Sequence, residues 1–503
     1  MKNIFERKSL VLEITVFVCG AGVMVFELLG SRILAPYIGT STYAWTSLIG
    51  VILASLSLGY YYGGRLSDKR PEIRILAFVI GIASLCIFIT TLVKDVVSSI
   101  SLLLPFSIEI KSLLLSLILF APASFFLGIV SPFAVKLRML DMEKTGSVAG
   151  NLYALSTAGS IVGTFTAGFF IVPYFGLTTS LYTLSFVLFL MAGLLYANLF
   201  RKAGIAFIFI ILFFSVLLKG DARDLFPFVI ADIDTEYNRI WVYKGVDKKT
   251  DRPTLNLSMD PFGTQASIFT DEKGKDDLVF DSMKFYRLAG FFSPNAKTAL
   301  MLGGCVYVYP RDFLQSFPSA VVDVVEIDPG MTEAAKKYFG FKDDPRMDIY
   351  HEDARTFLNE NKKLYDLVFI DAFNSALSIP FHLTTIESTK LVYDSLNDEG
   401  IVLVNIISSI SGDKGRFFRA EYETYKKVFP QVYVFPVEDV NSPNKIQNII
   451  MVAFKSNLKP SFSSDKEEFR SYLSHLWKGE ISADMPVLTD DFAPVEHYRR
   501  QAI

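Results

Sequence analysis

Four positions just beyond short apolar runs carry residues able to do chemistry. Gly303-Gly304 follows Thr298–Leu302, Glu326 stands near the end of 320–327, Asp353 follows Met347–Tyr350 within Glu352-Asp353-Ala354-Arg355, and Asp371 follows 366–370 within Ile370-Asp371-Ala372-Phe373-Asn374. Adjacent glycines let a backbone pass close to a ligand. A carboxylate at a strand end, here 22 residues beyond Gly304, suits the two hydroxyls of a ribose. Singly, each has a plainer explanation: glycine pairs make turns, Glu326 and Asp328 suit the cap of a helix starting near Pro329, and Asp353 suits the cap of 354–358. One such residue per strand end, in chain order, favours a nucleoside site.

The loop Leu302-Gly303-Gly304-Cys305-Val306-Tyr307-Val308-Tyr309-Pro310-Arg311 lacks G-x-G-x-x-G. Bulky Val306, Tyr307 and Tyr309, and Pro310 without an N–H, supply no cradle of amides for a pyrophosphate. An adenosine-bearing donor without phosphate fits better, namely S-adenosylmethionine or its decarboxylated form. Cys19, Cys86 and Cys305 show neither disulfide nor zinc spacing, and His351, His382, His475 and His497 form no metal motif, so no metal is expected.

The elements that must hold these residues follow from periodicity. Buried-strand runs at 298–302, 320–327, 347–350, 366–370 and 401–406 alternate with helical stretches such as 331–339 and 354–361, which predicts βαβ units and a parallel sheet. In such sheets ligands lie beyond the carboxyl ends of the strands. Before it, from Asp232 to about Phe292, short apolar runs separated by turn residues predict a small antiparallel β unit. The fold class expected is a multi-pass helical domain over 1–220, a β unit over 221–295 and a Rossmann-like domain over 296–503.

Composition separates the first of these from the rest. Residues 1–219 hold 16 Lys and Arg against 9 Asp and Glu, the remainder 33 against 43, and the whole chain has a mean hydropathy of +0.37. An acidic soluble part without a basic stripe argues against nucleic acid. Seven apolar segments, near 10–31, 43–63, 74–93, 112–135, 147–172, 177–200 and 203–219, are long enough to cross a bilayer. Basic loops after the second, fourth and sixth place those loops and the N-terminus inside. Seven crossings would leave the C-terminal half outside, whereas the supply of an adenosyl donor argues for the cytosolic face, which is the placement adopted. Gly159, Gly163 and Ala167 at four-residue spacing suit close helix packing, and Glu27 is a costly intramembrane charge. The stretch Gly63–Arg70 is similar to the loop between the second and third helices of major-facilitator transporters.

Ala299–Gly304, Val325-Glu326-Ile327-Asp328-Pro329, Glu352–Arg355, Tyr365–Asp371 and Pro380-Phe381-His382-Leu383-Thr384-Thr385 together resemble the spermidine synthase (polyamine aminopropyltransferase) superfamily, over roughly 232–500. The whole chain resembles membrane-fused spermidine synthase-like proteins. The resemblance implies that Glu326 binds the ribose, Asp353 the adenine amino group, that Gly303 and Gly304 pass close to the donor, and that Gln265 approaches it from the β unit. It also implies departures. Where soluble members carry G-G-G-D-G-G, this chain continues as Cys305-Val306-Tyr307. Where they carry D-x-x-D, whose second acid deprotonates the attacking amine, it has Asp371 and Asn374. Their Tyr-His-Glu becomes Tyr286-Arg287-Leu288. The expected function is an integral membrane transferase of the polyamine-biosynthesis type, aminopropylating or methylating an amine, lipid or other membrane-delivered acceptor. Asp371 is the candidate base, Tyr286 and Asn374 are catalytic neighbours, and Arg287 and His382 line the acceptor site. A homo-oligomer is compatible. The rival expectation is a transporter or sensor whose soluble domain binds an adenosyl ligand without turnover.

Overall fold

The computed structural model describes residues 2–39, 41–139, 145–196, 228–260, 263–272, 277–372 and 379–499. The chain divides into two compact units, Met1–Leu225 and Phe226–Ile503.

The first unit is helical: α1 (Lys2–Ile38), α2 (Thr42–Lys69), α3 (Ile73–Leu102), α4 (Ile108–Leu119), α5 (Ala121–Met139), α6 (Thr145–Thr166), which continues into a π-helical turn at Ala167–Ile171, and α7 (Leu177–Leu195). Five helices are long and apolar enough to cross a bilayer, and the pair α4 and α5, bent by 54°, makes a sixth candidate. These six coincide with the first six segments expected; the seventh, 203–219, lies outside the described residues. Between apolar helices that lipid could equally well cover, contact must come from close approach. A Cβ on Gly159 would stand 2.0 Å from the Phe17 carbonyl oxygen and one on Gly163 2.5 Å from that of Ala21, so α6 lies backbone against backbone on α1. Gly59 and Gly128 do the same for α2 and α5. Ser84 and Ser185 each donate to the other's carbonyl, at 2.7 and 2.9 Å, joining α3 to α7. Glu13 reaches Arg138 at 3.4 Å.

The second unit begins with an antiparallel meander, β1 (Val229–Asp234), β2 (Arg239–Val246), β3 (Pro253–Ser258) and β4 (Ala266–Phe269). The expected β unit reached about Phe292, but the strands end at Phe269 and the stretches Asp281–Phe285 and Leu288–Phe292 are helical. The reason is spacing: Met283, Phe285, Tyr286, Leu288 and Ala289 are buried at helical intervals.

Next comes a seven-stranded sheet of β5 (Thr298–Leu302), β6 (Val321–Val325), β7 (Met347–Tyr350), β8 (Tyr365–Ile370), β9 (Leu396–Ser408), β10 (Gln431–Pro436) and β11 (Gln447–Phe454), in the order β10-β11-β9-β8-β5-β6-β7. β5 to β9 pair in parallel, while β11 runs antiparallel to β9 and to β10. This is a Rossmann-like order, with an antiparallel pair added at one edge of the parallel strands. Helices α8 (Val308–Ser316), α9 (Pro329–Tyr338), α10 (Ala354–Glu360), α11 (Ile386–Asp394) and α12 (Arg416–Lys426) connect the strands. Alternate residues of the strands enter two separate cores: Met301, Val324 and Phe369 one, Leu302, Val325 and Ile370 the other. The chain winds outward from β5 in both directions, so the crevice between the ends of β5 and β8 is where a ligand belongs.

One buried group makes the stability of this unit depend on pH. Glu421 on α12 is buried, one of its carboxyl oxygens has no hydrogen-bond partner among the described residues, and burial raises its pKa from 4.5 to about 8. Between those values the folded state keeps a proton that the unfolded chain releases, so stability present at low pH is lost as pH rises through this window. Glu421→Gln is expected to remove that loss and to gain on the order of 4 kcal/mol over wild type at pH 8, with little gain at pH 4. Urea unfolding of the full chain, followed by tryptophan fluorescence at both pH values, checks this; an unchanged pH dependence contradicts it.

Candidate active site

The crevice is shaped first by backbone. Gly303 ends β5 at φ +94°, and a Cβ there would stand 2.4 Å from the Asp371 carbonyl oxygen at the end of β8. Only glycine permits that approach. The following loop holds Cys305 at φ 47° and Tyr307 at φ 60°, left-handed conformations that cost a side-chain-bearing residue of order 1 kcal/mol each. Tyr307 is held there by its ring stacked on Phe341 at 4.4 Å, by its hydroxyl 2.5 Å from that of Thr332, and by its N–H donating to the Gly304 carbonyl at 2.8 Å.

That loop turns two amides onto Glu326. Gly304 N and Cys305 N donate to Oε2 at 3.0 and 2.8 Å, and Asp328 N donates to Oε1 at 3.1 Å. Burial raises the Glu326 pKa to about 7 against the downward pull of these three amides. A carboxylate offers about four acceptor positions, so roughly one remains for a ligand and a second opens only if an amide is displaced. Asp328 is the N-cap of α9: Oδ1 accepts from Gly330 N, while Oδ2 takes the Thr235 hydroxyl and the Asn238 amide of the β1–β2 turn. Asp353 fits the cap reading made of it. Its Oδ1 caps α10 through Arg355 N and Thr356 N, and its Oδ2 meets His382 Nε2 at 3.1 Å.

Asp371 is buried at the end of β8, which raises its pKa to about 6 although Asn405 Nδ2, donating to Oδ1 at 3.1 Å, and the nearby Tyr286 hydroxyl, which donates to the adjacent Ile370 carbonyl at 3.4 Å, both pull it down. Asn405 in turn accepts from Asn448 Nδ2 at 2.9 Å. Tyr286 does not line the cavity. Its ring packs on Tyr309 and Phe369 at 4.8 and 5.5 Å, and burial drives its pKa well above 10, so it stands behind Asp371 as a neutral donor.

Gln265 lines the cavity with its carboxamide held by its own loop, accepting from Met259 N at 2.9 Å and donating to Asp260 Oδ2 at 3.0 Å. His382 also lines it. Arg287 does not: its guanidinium grips Asp312 at 2.6 and 3.1 Å and Glu468 at 3.1 Å, which turns it away from an acceptor. Asn374 lies outside the described residues.

The cavity holds about 520 Å³, a size suited to a nucleoside and a short chain. Seven carboxylates line it, Glu326, Asp353 and Asp371 with Asp247, Asp281, Glu352 and Glu438. Among the described lining residues the only Lys or Arg is Lys249, and it pairs with Asp281. Arg311 is spent on the Tyr307 and Phe339 carbonyls. No group of three potential ligands able to hold a metal occurs among the described residues. Sequence reasoning missed Asn405, Asn448, Asp281 and Glu438. The signal for Asn405 was a lone amide in the apolar run 401–406.

Comparison with known proteins bears on the same unit. Residues 283–459 match the spermine/spermidine synthase domain. "Probable polyamine aminopropyl transferase" of Bifidobacterium longum is 28% identical over 297 residues, 55% of this chain, and the chain spans 65% of that relative's length. "Polyamine aminopropyltransferase 2" of Aquifex aeolicus is 22% identical over 460 residues, 85% of each chain, an alignment that extends beyond the C-terminal unit. Among solved structures, a probable spermidine synthase from Corynebacterium glutamicum aligns with a TM-score of 0.41 at 20% identity, over 50% of this chain and 88% of that one.

Gly303→Ala would force a Cβ against Asp371 and a strained φ. Calorimetry with 5′-methylthioadenosine is expected to show binding at least ~10-fold weaker, about 1.4 kcal/mol, with the circular dichroism of the fold retained. Equal affinity would show that the β5–β8 approach does not shape the nucleoside pocket.

Proposed function

From a C-terminal unit that carries a spermine/spermidine synthase domain, we propose that the chain is an aminopropyltransferase that moves the three-carbon amine of decarboxylated S-adenosylmethionine to an amine acceptor. The observation that carries this reading is the charge of the cavity. A sulfonium donor with a free ammonium, and a protonated amine acceptor, meet seven carboxylates; the carboxylate of intact S-adenosylmethionine would meet only Lys249, already paired with Asp281. Methyl transfer, which needs the carboxylated donor, is disfavoured for that reason.

In this reading Glu326 holds the ribose, Asp353 the adenine amino group, and the Gly303 turn lets the sulfonium approach the end of β8. Asp371 takes the proton from the acceptor ammonium. The freed nitrogen attacks the carbon bound to sulfur, the C–S bond breaks with its electron pair going to sulfur, and neutral methylthioadenosine leaves. Tyr286 and Asn405 act through Asp371, since two donors keep its pKa near 6 in a site where burial alone would push it higher. Val306, standing where the family motif has an acid, leaves the donor ammonium to the remaining carboxylates. The helical unit is read as a multi-pass membrane domain, supported by five helices of spanning length, with the catalytic unit on the cytosolic side where the donor is made. A membrane-delivered or amphiphilic amine is then a natural acceptor.

The test is product analysis of the purified full chain with decarboxylated S-adenosylmethionine and a panel of diamines and membrane extract. Methylthioadenosine should form, kcat/KM should rise with pH through about 6 as Asp371 ionises, and Asp371→Asn should reduce turnover by roughly 100-fold or more. Tyr286→Phe removes a hydroxyl that lowers the Asp371 pKa, so the acid limb of that variant should move to higher pH. Release of S-adenosylhomocysteine from intact S-adenosylmethionine, or turnover indifferent to Asp371→Asn, would overturn the proposal.

A further inference from the structure

The cavity has two ends, and the sheet tells them apart. Alternation along the strands puts Glu326 on the face of Val324, Asp371 on that of Phe369, and Asn405 and Ile407 on that of Leu403, which is one and the same side of the sheet. Asn448 stands opposite Ile407 in the antiparallel pair of β9 and β11, so its side chain shares that side. Glu326, Asp371, Asn405, Ile407 and Asn448 all line the cavity. Across the order β11-β9-β8-β5-β6, Glu326 belongs to one end, Asp371 to the middle and Asn448 to the other end. A donor nucleoside at the Glu326 end leaves the acceptor the span from Asp371 to Asn448, two strand spacings or roughly 10 Å.

Two amides fix what the far end offers. An ionised carboxylate only accepts hydrogen bonds, so Asn405 turns its Nδ2 to Asp371, at 3.1 Å, and its Oδ1 away. That Oδ1 accepts from Asn448 Nδ2 at 2.9 Å, which leaves Asn448 with its own Oδ1 to offer. No hydrogen bond among the described residues engages this oxygen, and it is not sealed in the interior.

The acids of this end are already in ion pairs. Glu438, which follows the residue bonded to the Asn448 carbonyl, pairs with Lys445 at 2.8 Å, and Asp281 pairs with Lys249 and Lys284. On β9, between Asp371 and Asn448 in the strand order, Ile407 lines the cavity and is 37% exposed, an apolar surface on the route from one polar group to the other.

We propose that Asn448 is an acceptor-binding residue, whose Oδ1 selects an amine carrying a second N–H or O–H donor at its far end while the hydrocarbon between lies on Ile407. The assignment of ends rests on the transferase reading. The polarity of the far end is set from the reacting end: with Asn405 reversed, Asn448 would present Nδ2 and suit a carboxylate. With Asn405 held by Asp371, an amine with an apolar tail leaves Asn448 Oδ1 unmet, and one that ends in a carboxylate is repelled by it.

The test is equilibrium binding to the full chain in detergent, saturated with 5′-methylthioadenosine so that only the acceptor end is open. The probes are hexamethylenediamine, long enough to span the two polar groups, hexylamine and ε-aminocaproate. Wild type should bind the diamine at least ~10-fold more tightly than hexylamine, and ε-aminocaproate least of all. Asn448→Leu should weaken the diamine about 10-fold and hexylamine less than about 2-fold, with the affinity for methylthioadenosine unchanged. Equal loss for both amines, no loss for the diamine, or no diamine binding at all overturns the assignment. Binding needs no turnover, so the two readings fail separately. A diamine preference that depends on Asn448, with no product from decarboxylated S-adenosylmethionine, sinks the transferase and keeps the far-end assignment; turnover with a diamine affinity indifferent to Asn448→Leu does the reverse. Should Asn448→Leu fail to fold, a crystal structure of wild type with methylthioadenosine and hexamethylenediamine decides: one nitrogen within hydrogen-bond reach of Asn448 Oδ1 supports the assignment, and neither nitrogen there refutes it.

Discussion

The contact on which the C-terminal unit depends is the approach of the Gly303 backbone to the Asp371 carbonyl. Two parallel strands that leave β5 in opposite senses open a crevice, and the width of that crevice is set by whatever ends β5 and β8. With glycine at φ +94°, the β5 loop folds back over β6 and directs the Gly304 and Cys305 amides at Glu326, while β8 delivers Asp371 beside them. A side chain at position 303 would widen the crevice and withdraw the amides together. Two carboxylates that burial would otherwise drive toward neutrality are thus kept able to ionise near neutral pH, Glu326 by three backbone donors and Asp371 by an amide and a phenol.

Charge selection works by subtraction as much as by addition. Arg287 and Arg311 stand within a helix or so of the cavity, and each is turned away, one by Asp312 and Glu468, the other by two carbonyls. Without those partners either arginine would be a ready fork for a donor carboxylate. Asp312 is itself almost fully buried, so the Asp312–Arg287 pair is fixed and not a loose surface contact. The cavity is therefore acidic because its neighbouring cations are engaged elsewhere.

The strand and helix order of the C-terminal unit was legible because its strands are short, apolar and each followed by a helical stretch. Thr298–Leu302 and Met347–Tyr350 were read with the bounds observed. The acids stood out only as a set, since an acid just beyond a strand serves equally well as a helix N-cap, as Asp328 and Asp353 do. What was hidden is tertiary. Nothing in Tyr286-Arg287-Leu288 says that the tyrosine points behind Asp371 and the arginine away from it, because both orientations follow from partners 84 and 25 residues distant. The antiparallel pair β10 and β11, and with it Asn448, escaped for a similar reason: Gln431–Pro436 and Gln447–Phe454 have strand composition but no intervening helix to mark them as part of the sheet. The helical stretch 281–292 was misread because runs as short as Asp281–Phe285 show too little periodicity to separate from strand.

The loss of glycines from the turn after β5 still leaves a question of cost. Cys305 and Tyr307 adopt backbone conformations that glycine would take without strain. The strain is met by packing: the Tyr307 ring, fully buried, stacks on Phe341, and its hydroxyl meets Thr332, which in turn meets His351 Nε2 at 2.8 Å. A tyrosine buried to that degree contributes on the order of 2 kcal/mol, enough to offset two left-handed residues at about 1 kcal/mol each. The exchange also changes what the loop presents. A glycine turn with an acid in it offers open amides and a charge; this one offers two amides already committed to Glu326 and the apolar faces of Val306 and Val308. In the proposed reaction the donor's ammonium would be met not by the β5 loop but by carboxylates carried by other elements, of which Asp371 is the one whose protonation the surrounding donors control.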